Sequence, residues 1–515
     1  MEAKLRKFLA QYWVLLLLIG IKLFLQFIVI NPVYELHRDE YLYLDQANHL
    51  AFGYISVPPF TALVSKIIYL FGGSMFWIRF FPALFGALTI VFTWLIVESL
   101  GGTLFSKILA ASALVFSVLI RLNILFQPNS FDILAWTIIF WLLIKFIQSG
   151  KNRWLYYLSI IVAIGFYNKY NILFVIAGLV IGFLLTDQRK IFTNPSFWKA
   201  FIISLIILSP NIIWQTINHF PVFHHMKVLK HNQLDNNTSF GFLISQVVFF
   251  LGSLPLTLGA VAAFVFYKPF RPFRFIGICF VAVIAIFAIM KAKDYYAVGI
   301  YPVIFAFGSI YLDSVLSKKW RLMVLPALIC FNLYIFLATV KVIYPVYTPA
   351  EIRQHARAFE KLGLLRWEDG KNHDLPQDFA DMLGWKEMAD KSLSAYRMIP
   401  GNELPNTLII CDNYGETGAL NYYNRNQMPE AYSFNTDYIF WLPHLKKIQN
   451  ILFVGDKVSD EVTAMFKEVK LIGIVENEYA REHNTRIFLL SGANDFFTPV
   501  FYNMVEERKK KLDIF

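Results

Sequence analysis

The chain has 515 residues, 57% hydrophobic and 17% aromatic, and a net charge of +11. Only 16% of its residues are charged, against about 25% in a soluble globular chain. That excludes a wholly soluble chain and specifies a polytopic membrane protein. The basic residues stand in twos and threes between apolar runs, which argues against a nucleic-acid partner and fits cytoplasmic loops. Cys279, Cys330 and Cys411 show no CxxC or metal spacing, so neither a disulfide framework nor a thiolate metal site is indicated.

A membrane span needs about 20 apolar residues. About eleven candidates follow in chain order: roughly 8–30, 79–98, 104–122, 131–148, 154–168, 170–186, 197–217, 241–267, 273–290, 294–313 and 322–344. The first follows Lys4-Leu5-Arg6-Lys7, is too long for a signal peptide and lacks a small-residue cleavage site, so it reads as a retained anchor. The division at Asn168-Lys169-Tyr170-Asn171 competes with a single kinked helix. Loop charges favour the division. With the N-terminus inside, the cytoplasmic loops carry Lys107, Lys151 and Arg153, Arg189 and Lys190, Lys268, Arg271 and Arg274, then Lys318, Lys319 and Arg321, whereas the short outer loops carry far fewer, among them Arg121, Lys169, Lys291 and Lys293.

The outer loops hold the functional groups. The first, 31–78, carries His37-Arg38-Asp39-Glu40, Tyr54 and Pro58-Pro59, with Arg79 at its far end. Tyr41–Ala51 and Phe60–Phe71 within it read as two short helices along the outer interface. In the second, Leu63, Val64, Ile67, Ile68 and Leu70 stand against Ser65 and Lys66. Later outer loops carry Asp132, Lys169 with Tyr170, four histidines from His219 to His231 including His225, and Lys293-Asp294-Tyr295-Tyr296. After Pro345 charged residues become frequent. Leu408–Cys411, Ile451–Val454, Lys470–Val475 and Arg486–Leu490 read as strands, with a helix-like stretch over Ser459–Phe466. The expected architecture is a polytopic α-helical membrane domain over 1–345, with a catalytic first outer loop at 31–78, and a soluble α/β domain over 346–515 outside the cytoplasm.

An active site on the outer face has no access to nucleotide donors, and the chain has no P-loop or dinucleotide fingerprint, so no nucleotide cofactor is expected. An activated group must then arrive on a lipid. A lipid phosphate needs cations and phenolic donors, which Arg79, Lys169, Lys293, Tyr295 and Tyr296 can supply. An acceptor hydroxyl needs a base, which Asp39 or Glu40 can supply. Each residue has a plainer reading. Asp39 can pair with Arg38, Glu40 can cap the following helix and Asp132 can be the N-cap of the fourth span. The lysines can snorkel, and the tyrosines can belong to an aromatic belt.

The pieces together resemble the polytopic GT-C glycosyltransferases that use polyprenyl-phosphate sugars, the protein O-mannosyltransferase and lipid A aminoarabinose transferase relatives. The resemblance is carried by Asp39-Glu40 with Tyr43, Pro58-Pro59, Trp77-Ile78-Arg79, Asp132, Asn168-Lys169-Tyr170, Pro210-Asn211-Ile212-Ile213-Trp214 with the histidines beyond it, Lys293-Asp294-Tyr295-Tyr296, and Asn413-Tyr414-Gly415-Glu416-Thr417-Gly418-Ala419. It implies Asp39 as the catalytic base, Lys169, Lys293 and Tyr295 near the donor phosphate, and His225 as a metal or phosphate contact. The implied activity is transfer of a sugar, with inversion, from a polyprenyl-phosphate carrier to a lipid, glycan or protein acceptor on the outer face of a bacterial inner or plasma membrane. The metal requirement stays open. A transporter or flippase of lipid-linked sugars is the alternative; it calls for polar residues at mid-membrane depth on facing spans.

Overall fold

The structure is a computed structural model that describes residues 2–232 and 234–511. Its chain forms two compact units. The first comprises 1–30, 76–212 and 230–346, and the second 31–75, 213–229 and 347–515. The first outer loop, assigned from sequence to the membrane part, packs in the second unit together with the C-terminal residues.

The first unit is helical. Among the described residues, seven helices are long and apolar enough to cross a membrane: Gln11–Ile28, Met75–Ser99, Asn129–Ser149, Pro195–Ile217, Lys268–Ile289, Asp294–Val315 and Lys318–Ile343. Two bent pairs raise that number to nine if each is one span. All eleven apolar runs are helical, yet the count of about eleven spans exceeds what helix length supports. The 104–122 run breaks into Leu104–Val115 and Leu119–Asn123, where Ser117 Oγ accepts the Leu119 N–H and diverts the chain. The 241–267 run bends by 68° between Ser239–Val248 and Leu251–Phe266, because Pro255, lacking an N–H, starts a new helix. The expected division at Lys169 is present. Arg153–Asn168 and Ile172–Leu184 are separate helices, and Lys169 between them is extended. The core of this unit is one apolar cluster that includes Trp94, Trp136, Phe140, Phe275 and Phe305.

The second unit contains a five-stranded mixed sheet. Its strands are β1 (Thr407–Cys411), β2 (Tyr432–Ser433), β3 (Asn450–Gly455), β4 (Phe466–Ile474) and β5 (Arg486–Ala493), in the order β2-β1-β3-β5-β4. β1 is parallel to β2 and β3, whereas β5 runs antiparallel to β3 and β4. Phe497, Phe501 and Val505 of the last helix cover one face, over Leu408, Ile410, Ile451 and Leu490. The stretch expected to be helical over Ser459–Phe466 is only one turn, Asp460–Thr463, and Phe466 already begins β4.

The first loop gives two helices, Arg38–Asp45 and Phe60–Leu70. The first is shorter than the expected Tyr41–Ala51 and starts earlier, because His37 caps it. The His37 ring accepts the Asp39 N–H, and the Glu40 carboxylate accepts the His37 N–H at 2.6 Å. The second ends at Gly72 and Gly73, both in the left-handed region with φ +93° and +68°. Its exposed face is Leu63, Ile67 and Leu70, while Ser65, placed from sequence on the polar face, is buried and donates to the Tyr43 carbonyl at 2.7 Å.

Two buried carboxylates tie this loop to the C-terminal residues. Asp45 accepts from Tyr438 Oη at 2.8 Å and from Asn421, and Asp437 accepts from Gln46 at 2.9 Å and from the Ile55 N–H. Burial pushes each up to about 6, against the opposing hydrogen bonds. A carboxyl with a raised folded pKa holds its proton in the folded state at pH values where the unfolded chain has released it. Stability therefore rises as pH falls from 7 toward 5, by about 2–3 kcal/mol for the two groups together. Thermal unfolding of the detergent-solubilised protein should show a higher transition for this unit at pH 5 than at pH 7.5. An equal or lower transition at pH 5 would contradict it.

Candidate active site

Several of the residues singled out from sequence meet in the first unit. Asp132 lies in the first turn of the helix that begins at Asn129, so it is not the N-cap; that position is Pro128. Its buried carboxylate accepts the Trp136 indole N–H at 3.0 Å and the Asn171 amide at 2.8 Å. The same amide reaches the Tyr296 carbonyl at 3.0 Å, which links the 168–171 turn to the 293–296 turn. Lys169 donates to Asn129 Oδ1 at 2.7 Å, and its ammonium stands 4.4 Å from the centre of the Tyr296 ring and 5.3 Å from that of Tyr295. Burial pushes this ammonium down to about 8; Asp132 opposes that shift and Lys293 adds to it. The result is a cation on phenyl faces, with a second lysine, Lys293, at the N-cap of the Asp294–Ile300 turn. Such a pair suits an anion that arrives to be neutralised.

Other residues stand elsewhere. Tyr170 donates to Asn211 Oδ1 at 3.2 Å and packs on Phe166. Arg79 is half-buried near the start of the Met75–Ser99 helix. His225 lies half-buried on the Pro221–Asn232 helix, within the second unit.

Asp39 also belongs to the second unit. Its side chain is 30% exposed, and its Oδ1 accepts from Tyr414 Oη at 2.8 Å. The Arg38 guanidinium lies 4.5 Å from the centre of the Tyr414 ring. Burial works against the Arg38 charge, but Tyr414, Asp381, Asp39 and Glu482 outweigh it and hold the proton on. Glu40 is fully buried, and its carboxylate closes the helix cap. The capping reading of Glu40 thus has a geometry.

His37, Asp378 and Asp381 bring donor atoms within 4.8 Å of one another, a set whose chemistry suits a divalent cation. Its surroundings do not. Arg481 is 3.2 Å from Asp381, and His37 Nδ1 accepts the Asp39 N–H, which leaves the ring proton on Nε2, 3.6 Å from Asp381. A metal would have to displace that proton and stand among guanidinium groups. We read the cluster as an ion-pair network beneath Asp39.

Sequence reasoning passed over Trp136, Asn129 and Asn211 as partners, and gave Tyr414 no role beyond its place in the Asn413–Ala419 stretch. That stretch is the start of the Tyr414–Tyr423 helix, with Asn413 and Glu416 forming a capping box. An N-x-x-E pattern ahead of a helix was the available signal.

The fold is that of a polytopic α-helical membrane protein with a C-terminal mixed sheet. It superposes on ArnT from Cupriavidus metallidurans, solved bound to undecaprenyl phosphate, with TM-score 0.62 and 14% identity over 93% of this chain and 98% of that one. The archaeal oligosaccharyltransferase AglB from Archaeoglobus fulgidus, in complex with an inhibitory peptide and a dolichol-phosphate, matches with TM-score 0.52 and 10% identity over 82% of this chain and 65% of that one. More particularly, residues 56–214 match the family model described as dolichyl-phosphate-mannose-protein mannosyltransferase. No curated protein sequence matches the chain.

Proposed function

We propose that the chain is a membrane glycosyltransferase that moves a sugar from a polyprenyl monophosphate carrier to an acceptor on the outer face of the membrane. The observation that carries this reading is the likeness of fold, along 93% of the chain, to a protein solved with undecaprenyl phosphate; the family match over 56–214 points the same way. Asp39 takes the acceptor proton as the acceptor attacks the anomeric carbon opposite the phosphate, which inverts the configuration. Lys169, Lys293, Tyr295 and Arg79 stabilise the leaving phosphate. Asp132 and Tyr296 hold Lys169 in place, Tyr170 supports the same turn, and His225 serves as a further phosphate or metal contact. Glu40 positions Asp39 through the helix cap. No observation favours a flippase.

The purified protein, given a radiolabelled polyprenyl-phosphate sugar, should cleave the sugar–phosphate bond and pass the sugar to an acceptor or to water. Movement of the intact glycolipid across a vesicle membrane without cleavage would overturn the reading. The proposal also places the C-terminal domain outside the cytoplasm. A cysteine at Asn237 should then react with an impermeant thiol reagent in intact cells and one at Gln188 should not; the opposite pattern would refute this orientation.

A further inference from the structure

Helix Tyr414–Tyr423 crosses helix Arg38–Asp45 at backbone contact. A Cβ added at Gly418 would lie 2.7 Å from the Tyr41 Cβ and 2.9 Å from its carbonyl carbon, and one at Gly415 would lie 3.2 Å from the Arg38 Cβ. The start of the later helix is fixed independently. Asn413 Oδ1 accepts the Gly415 and Glu416 N–H groups at 2.9 and 3.1 Å, and the Glu416 carboxylate accepts the Asn413 N–H at 3.0 Å. Tyr414 is thereby delivered as the first residue of a capped helix, with its ring under the Arg38 guanidinium and its hydroxyl on Asp39 Oδ1.

We propose that Tyr414 is a positioning residue for Asp39: its O–H···Oδ1 bond sets the plane of the carboxylate and so the direction in which the other oxygen can receive a proton. This rests on the reading of Asp39 as the base. A donor on one oxygen of a carboxylate removes rotation about the last side-chain bond, and misplacement of a reacting group by about 1 Å can cost on the order of 100-fold in rate. Tyr414 does not compete for the proton. Burial, and then the charge of Asp39, hold the phenol protonated, so it donates and does not accept. The sequence stretch Asn413–Ala419 gains a purpose from this arrangement: two glycines for close approach, a cap to fix the helix start, and a phenol that the cap aims at the loop.

The test is a double-mutant cycle on the full-length purified protein. Y414F removes one oxygen from a half-buried ring and leaves the cap and both glycines intact, so the fold persists. Its kcat should fall roughly 10- to 100-fold, with the KM for polyprenyl-phosphate sugar changed less than about twofold and with an unaltered melting temperature. In a D39N background the same change should lower the residual rate no further, because Tyr414 acts only through Asp39. Normal kcat for Y414F beside an inactive D39N would overturn the positioning role and leave the base intact. An equal fall in both backgrounds would overturn it as well, since Tyr414 would then act independently of Asp39. A D39N protein that transfers sugar at the normal rate would instead remove the base reading, and this assignment with it.

Discussion

Replacing Asp39 by asparagine should leave a protein that accumulates normally, binds its lipid donor and transfers sugar about 100- to 10,000-fold more slowly, the range for loss of a general base. The variant isolates proton acceptance. An asparagine Oδ1 still accepts the Tyr414 hydroxyl, so the 2.8 Å contact survives. Little stability depends on the charge: the side chain is 30% exposed, and ion pairs of partly exposed side chains are worth ~0–1 kcal/mol. Glu40→Gln should behave differently. Its carboxylate closes a capping box, a job that glutamine also does, so a modest loss of stability, at most about 1 kcal/mol, and a small effect on rate are expected. Turnover and donor binding measured on both variants decide the matter. If D39N stays active and E40Q is inactive, the base is Glu40; if both stay active, the first loop is not catalytic.

The second large effect is expected at Gly418. Alanine there has two opposing consequences. It removes backbone freedom from a helix interior, which favours the folded state by roughly 0.5–1 kcal/mol. It also sets a methyl 2.7 Å from the Tyr41 Cβ and 2.9 Å from the Tyr41 carbonyl carbon. These are the backbone of the neighbouring helix and the atom rooted on it, not the end of a flexible side chain, so the helices must move apart. Overpacking of this kind costs about 1–3 kcal/mol. The steric effect wins, and the helix that moves is the one carrying Asp39. G418A should lower the melting temperature by several degrees and lower transfer out of proportion to the protein lost. Gly401→Ala is the control, because nothing lies within 4 Å of a Cβ there. If G418A melts and turns over like G401A, the helices are not in contact at that point.

What the sequence displays plainly is what single elements decide for themselves. Long apolar runs are helical wherever they stand, the Phe60–Leu70 helix stops where Gly72 and Gly73 leave no alternative, and β1, β3 and β5 follow short apolar β-branched stretches. Failures arise where a neighbour decides. Ser65 alternates correctly for an exposed position but finds the Tyr43 carbonyl and is buried. The strand expected from Lys470 starts earlier, at Phe466, because pairing with β5 carries it back through Lys467 and Glu468. β2 is two residues long and exists through its pairing with β1. The site divides in the same way. That Asp132, Lys169 and Tyr296 are candidates could be read from residue type. The joining of Asp132 to Tyr296 through Asn171 could not, since one amide bonds both and Tyr296 lies 125 residues further along the chain.

The bond between Asp39 and Tyr414 spans 375 residues of sequence. At a synthesis rate of about 5–20 residues per second, roughly 20–75 s separate the emergence of the two. Throughout that interval Leu36, Tyr41 and Leu44, buried in the finished protein, wait without the helix and strands that will cover them. The loop that carries Asp39 is thus made well before the helix that completes its packing. A chain that stops before Tyr414 contains Asp39 but lacks the hydroxyl that donates to it. Packing of the Arg38–Asp45 helix therefore finishes only once the Tyr414–Tyr423 helix has been made.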